Sequence, residues 1–191
     1  MRVGLVVGLI GAVIVGAGCA TRPETPASRS ALSAKVERAV AQFKATDPSI
    51  ETYFDTAYAY AVLPEVTKGA VVVGGAYGRG EVFARGAKVG YCSMTQGSLG
   101  FSFGGQYFRE IIFFRDYADF ERFTNGTFTM SAQVIAVALK SGSADQTDYN
   151  YGLAVFVAGE QGLMVDASLG GQKFQYEPAF VMRYEPPATL P

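Results

Sequence analysis

A chain of 191 residues with 16 basic and 17 acidic side chains has the length for one packed core. It has no excess charge with which to hold nucleic acid. It contains no histidine and only two cysteines, Cys19 and Cys92. That excludes histidine-based acid–base and triad chemistry, and it leaves no zinc-ligand set and no disulfide framework.

Residues 1–18 read as an export signal: Arg2, an apolar run from Val3 to Val15, then small residues. The run is shorter than the roughly 20 residues a spanning helix needs. It ends in Gly16-Ala17-Gly18-Cys19, which resembles a lipoprotein box except for glycine where an aliphatic residue is usual. The resemblance implies an acylated Cys19 as the mature N-terminus, with ordinary signal cleavage as the alternative. Ala20, which is not aspartate, implies sorting to the outer membrane. Residues 19–30, Pro- and Ser-bearing and without periodicity over Thr21–Arg29, are expected to be a lipidated tether.

A helix should follow, with Leu32, Val36, Ala39, Val40 and Phe43 on one face opposite Lys35, Arg38 and Lys44. The stripe is modest and Glu37 dilutes the charge, which favours packing on a sheet over lying on a membrane surface. Asp47-Pro48 opens a second helix with an N-cap and a proline at its first position, striped by Ile50, Phe54 and Ala57. Helical structure must have ended by Pro64.

From Lys68 to Gln106 glycine recurs between β-branched and aromatic residues, which is strand material. Strands are expected near 70–77, 80–85, 87–94 and 98–104, with turns at Gly78-Arg79, Arg85-Gly86 and Gln96-Gly97. Leu99, Phe101 and Phe103 alternate with Gly100, Ser102 and Gly104, giving one face over which a backbone or ligand can approach closely. Tyr107–Phe114 is a further strand with Phe108, Glu110, Ile112 and Phe114 on one side. Asp116 caps a short helix carrying Tyr117, Phe120 and Phe123, which Asn125-Gly126 stops. The stretch from Phe128 to Leu139 alternates, 140–148 is a polar loop, and Leu153–Ala158 with Leu163–Leu169 forms a hairpin over Gly159–Gly162. The tail 185–191 is extended.

Three spaced groups of residues carry a family resemblance: Pro64-Glu65-Val66-Thr67-Lys68-Gly69, Val73 through Gly80 (VGGAYGRG), and Gly97-Ser98-Leu99-Gly100 with Gly104-Gly105-Gln106. Together they resemble the SYLF (Ysc84-type) lipid-binding domain over roughly residues 31 to 176, within a domain bounded at 31–184. The resemblance implies binding of membrane phospholipid without catalysis and without a cofactor. Within its motifs Lys68 and Arg79 are the cations, beside Gly69, Gly74, Gly75, Gly78 and Gly80, and an arginine or lysine next to open backbone N–H groups can hold a phosphate. The chain lacks the dense basic cluster that reads phosphoinositide head groups.

No other chemistry is assembled. There is no GxxxxGK[ST] loop, and Gly78-Arg79-Gly80 lacks the strand–turn–helix setting of a dinucleotide fingerprint. Asp145 and Asp148 fall in a polar loop, apart from Asp166, and Cys92 reads as a buried, inert thiol. The expected fold is α+β: two N-terminal helices and one inserted helix around a strongly curved, glycine-rich antiparallel sheet, open or closed like a barrel. The expected function is a lipid-anchored envelope protein that binds phospholipid. An interaction lipoprotein with an envelope protein partner is the alternative, and a small outer-membrane barrel comes third.

Overall fold

The computed structural model describes residues 21–69, 73–99, 106–125, 127–130, 149–159, 162–163 and 171–180. Helix α1 spans Pro26–Thr46 and α2 spans Glu51–Thr56, with a 3-10 turn at Pro48–Ile50 between them. Strands β1 (Ala59–Gly69), β2 (Val73–Ala84), β3 (Ala87–Leu99) and β4 (Gln106–Phe114) follow. Then come α3 (Tyr117–Thr124), β5 (Thr127–Met130), β6 (Leu153–Gly159), β7 (Gly162–Leu163) and β8 (Gln172–Pro178). All pairings are antiparallel, in the order β5-β8-β3-β2-β1-β4-β6-β7. The sub-order β4-β1-β2-β3 is that of a Greek key, so β4 returns beside β1 rather than extending a meander.

The sheet is strongly curved, and one hydrogen bond measures how strongly. Gln172 Nε2 on β8 donates to Glu110 Oε2 on β4 at 3.0 Å. Those strands stand four steps apart in the sheet, which on a flat sheet would be about 19 Å. Two side chains of this length meet only because the sheet curls around its inner face. Among the described residues the order runs open, with β5 and β7 at its ends.

The two faces carry separate cores. The concave face packs Leu63, Val66, Val82, Cys92, Met94, Ile112, Phe114 and Phe174 against Phe123 of α3. The convex face packs Val62, Ile111, Phe113, Ala154 and Phe156 against Val36, Ala39 and Phe43 of α1 and against Ile50. The apolar stripe of α1 thus lies on the sheet, as its spacing implied. Asp47 accepts from Ser49 N at 3.0 Å, and Asp116 accepts from Asp119 N at 3.0 Å, each capping the element it was expected to open.

Several expectations are corrected. Gly78-Arg79 and Gln96-Gly97 are not turns, because β2 and β3 run through them as long paired strands. Only Arg85-Gly86 turns, with φ of 51° and 78°, the left-handed pair that closes a two-residue hairpin. Strand β1 had no counterpart in the sequence reading because Pro64 argues against a central strand. The register slips between Val62 and Glu65 toward β2 and between Leu63 and Val66 toward β4, and that bulge accommodates a residue with no N–H to give. Strand β8 was likewise unread.

The tether is corrected too, since α1 begins at Pro26 and its N-cap is Thr25, inside the stretch 19–30 expected to be a tether. The signal at 1–18, Cys19, Ala20, the segment 100–105, the alternation beyond Met130, the loop through 148, Asp166, the strand beyond Leu163 and the tail from 185 lie outside the described residues.

Candidate functional site

Strands β1 and β2 run on past the buried convex core, beneath the N-terminal half of α1. There the outward side chains change from phenylalanine and aliphatic residues to tyrosine, threonine and charged groups. A row of cross-strand neighbours runs Thr95, Tyr77, Thr67, Tyr107 over β3, β2, β1 and β4. One step nearer the core, Arg79 stands opposite Glu65. The N-terminal half of α1 lies over this region and leaves two adjoining grooves.

The first groove, of about 320 Å³, lies between Ala31, Leu32 and Lys35 of α1 and Pro64, Tyr77 and Arg79 of the sheet. The second, of about 360 Å³, continues on the other side of Lys35 and Glu65, where Arg38, Gln42, Tyr107 and Arg109 line it. The bulge at Pro64 is common to both. Four cations and one carboxylate therefore edge two adjoining grooves, which form one channel whose first part has an apolar floor. Glu65 is held by Lys35 at 2.6 Å, but both side chains are about half exposed. Such a pair is worth at most about 1 kcal/mol, so Lys35 is available to an incoming anion. Arg79 Nε donates to the Tyr77 hydroxyl at 2.8 Å, and Arg109 lies over the Tyr107 ring at 5.9 Å. Each arginine is thereby braced on an aromatic side chain at the groove wall.

The glycines proposed for phosphate contact play different parts. Gly78 and Gly80 are buried on the concave side of β2, a central strand paired along both edges. A Cβ on Gly80 would stand 2.2 Å from Val62 O, and one on Gly78 would stand 2.7 Å from the Val66 side chain. They are glycine because the β1 bulge presses against them, and both are buried between neighbouring strands. The expectation that they leave backbone open to a phosphate is therefore corrected. Gly69 pairs with Gly75 at the end of the β1–β2 ladder, with Gly74 one residue beyond, opposite Ser98. Lys68 pairs with Ala76 and Arg79 with Glu65, so the two motif cations lie three residues apart along the ladder, about 10 Å. Lys35, Arg38 and Arg109 were missed as site residues. Lys35 and Arg38 had been seen only as the polar face of a helix, and nothing local marks them as facing the end of a sheet.

Elsewhere the buried polar groups are structural. Ser33 Oγ of α1 donates to Glu81 Oε1 at 2.7 Å, and Lys88 Nζ reaches the same oxygen at 2.9 Å, tying the helix to the hairpin. Burial opposes the Lys88 charge, but its bond to Glu81 and the charge of that carboxylate together raise its pKa above the ordinary value. Burial, aided by the Glu110 and Glu81 carboxyls, pushes the Cys92 thiol far up, so it carries no thiolate to react. Among the described residues no helix is long and apolar enough to cross a membrane. The outward faces of β1, β4 and β6 are covered by α1 and α2, whereas a membrane barrel turns such faces to lipid.

No family model matches the chain. It is 30% identical over 148 residues to Beta cell expansion factor A of Aeromonas veronii, an alignment that takes in 77% of this chain. The chain spans 56% of the length of that relative.

Proposed function

We propose that this chain is a non-catalytic lipoprotein of the bacterial envelope that binds phospholipid, exported and anchored through an acylated Cys19 at the outer membrane. The observation that carries the reading is the channel between α1 and the far ends of β1 and β2. Lys35, Arg38, Arg79 and Arg109 supply N–H donors for a phosphodiester, and Leu32, Ala31 and Pro64 give an apolar floor beside them. Tyr77 and Tyr107 are amphipathic residues of the kind that favour the level of lipid head groups. The resemblance of the glycine motifs to SYLF domains supports the same ligand class. Lys68, the second cation carried over from those motifs, pairs with Ala76 of the concave side and stands apart from this channel, so it is tested by a separate Lys68→Ala variant.

The test is co-sedimentation with phosphatidylglycerol vesicles of an anchor-free chain beginning at Ala20. Each charge-assisted contact contributes on the order of 1.5–3 kcal/mol. Arg38→Ala with Arg79→Ala should then weaken binding at least about tenfold, since about 1.4 kcal/mol is a factor of ten. Circular dichroism confirms the fold. Undiminished binding by a folded double variant would sink the headgroup site and transfer the reading to an interaction lipoprotein.

A further inference from the structure

Residues 21–25 are built into the body. Thr21 is 7% exposed, and its hydroxyl meets the Ser93 hydroxyl of β3 at 3.0 Å in a buried contact. The Arg22 amide donates to Glu177 Oε2 of β8 at 3.1 Å, and its guanidinium lies over the Tyr91 ring at 5.8 Å. Pro23 is buried, and its carbonyl accepts from Arg29 Nη1 at 3.0 Å. Thr25 then closes a capping box with Ser28 at the start of α1. Five consecutive residues are held, by two strands and by the helix they introduce.

The consequence lies in the covalent chain. Cys19 precedes Thr21 by two residues, so their Cα atoms are at most about 7 Å apart. An acyl anchor on Cys19 therefore departs from beside the convex face of β3 and β8, with a single residue of slack. Pro23 and Ser28 line the first cationic groove, so the strap that places the anchor also edges that groove.

We propose that residues 21–25 clamp the lipidated N-terminus to β3 and β8, so that the domain rides directly on the leaflet that holds its acyl chains. The β3–β8 convex face and the mouth of the α1–β1–β2 groove then meet the head groups. The occupant of this surface is the anchoring bilayer itself. The contact needs no high affinity, because attachment a few ångströms away supplies a large effective concentration. This inference rests on the lipoprotein reading, and the experiment separates the two.

The chain has no tryptophan, so one introduced residue reports alone. Thr95 is exposed, two residues beyond Ser93 on the same face of β3. Tyr151, 76% exposed, adjoins the Leu153–Phe114 rung, seven residues along β4 from the Tyr107 row. The full-length lipoprotein, as Thr95→Trp or Tyr151→Trp, is placed in phosphatidylethanolamine–phosphatidylglycerol vesicles carrying a nitroxide on the head group. The two positions differ by about 23 Å along the strands, and Thr95→Trp should be quenched about twofold or more strongly. Gln175→Trp, exposed on β8 opposite Ser93, should behave like Thr95→Trp and repeats the measurement should Thr95→Trp fold poorly. A Gly/Ser insert of about 15 residues between Ala20 and Thr21 adds roughly 20 Å of reach and leaves the strap docked; the difference should shrink. Equal quenching in an acylated protein overturns the clamp and leaves the lipoprotein reading standing. A mature mass without acyl chains overturns the lipoprotein reading, and the clamp with it.

Discussion

Glu110 is the residue at which the fold takes its greatest electrostatic risk. It is fully buried on the concave face, with one oxygen bonded by Gln172 Nε2 while Glu110 Oε1 and Gln172 Oε1 have no partner. Burial raises its carboxyl to about 8, against the partial opposing pull of the Gln172 hydrogen bond. The neutral acid is therefore the folded form at neutral pH, and its proton converts one of two stranded acceptors into a donor. The sign follows. Below pH 4.5 the group is neutral in both states, and between there and about 8 only the unfolded chain ionises, so stability falls as pH rises. The slope is about 1.4 kcal/mol per pH unit within that window. Glu110→Gln keeps an acceptor for Gln172 and adds the missing donor. Denaturant unfolding at pH 5 and pH 7.5 should show the wild type losing stability across the interval and the variant nearly level. A wild-type stability that does not fall would mean that Glu110 is ionised in the fold. Gly80 carries a steric constraint of the same severity, since a single methyl there meets Val62 O.

At the scale of the element, α1 joins the two halves of the molecule. Its apolar stripe covers the convex core, its N-terminal half walls the cationic groove, and its cap belongs to the docked strap. A chain starting at Ser28 loses the Thr25 cap, worth about 1 kcal/mol, together with the contacts of Thr21 and Pro23. It should melt at lower temperature than a chain starting at Ala20, by several degrees or more for a domain of this size. Equal melting temperatures would show the strap to be energetically idle. β1 shows the converse dependence: its proline is tolerated because two neighbouring strands hold a bulge around it.

For the whole molecule, the proposed attachment and the proposed lipid binding can be separated by experiment. The described body keeps its apolar surface in two internal cores and covers the convex one with helices. Membrane residence should therefore depend on Cys19. Cys19→Ser in the full chain should move the protein from the membrane fraction to the soluble one, read by fractionation and by the mass of the mature protein. Unchanged fractionation with an unmodified mass would assign membrane residence to the domain instead. With the anchor in place, the channel at the sheet's far end would add selectivity to an attachment already made, and weak individual charges such as the Lys35–Glu65 pair suit that task.

The sequence by itself determined the class of fold, the three helices, the β4 strand and the Arg85-Gly86 hairpin. Each is written in local terms: an Asp or Pro at a cap, alternation of period two, a pair of residues fit for positive φ. Its glycine-rich strands also pointed to a strongly curved sheet. Tertiary structure alone decided what those glycines are for. Gly78 and Gly80 look like phosphate-loop or turn residues in isolation, and only the β1 bulge against them shows that they are space for a neighbouring backbone. It decided equally that Pro64 lies in a central strand, that Thr21 to Arg29 is no tether, and that Lys35, Arg38, Arg79 and Arg109 edge one channel. Contacts between residues tens of positions apart follow from strand order, which no local pattern in the chain encodes.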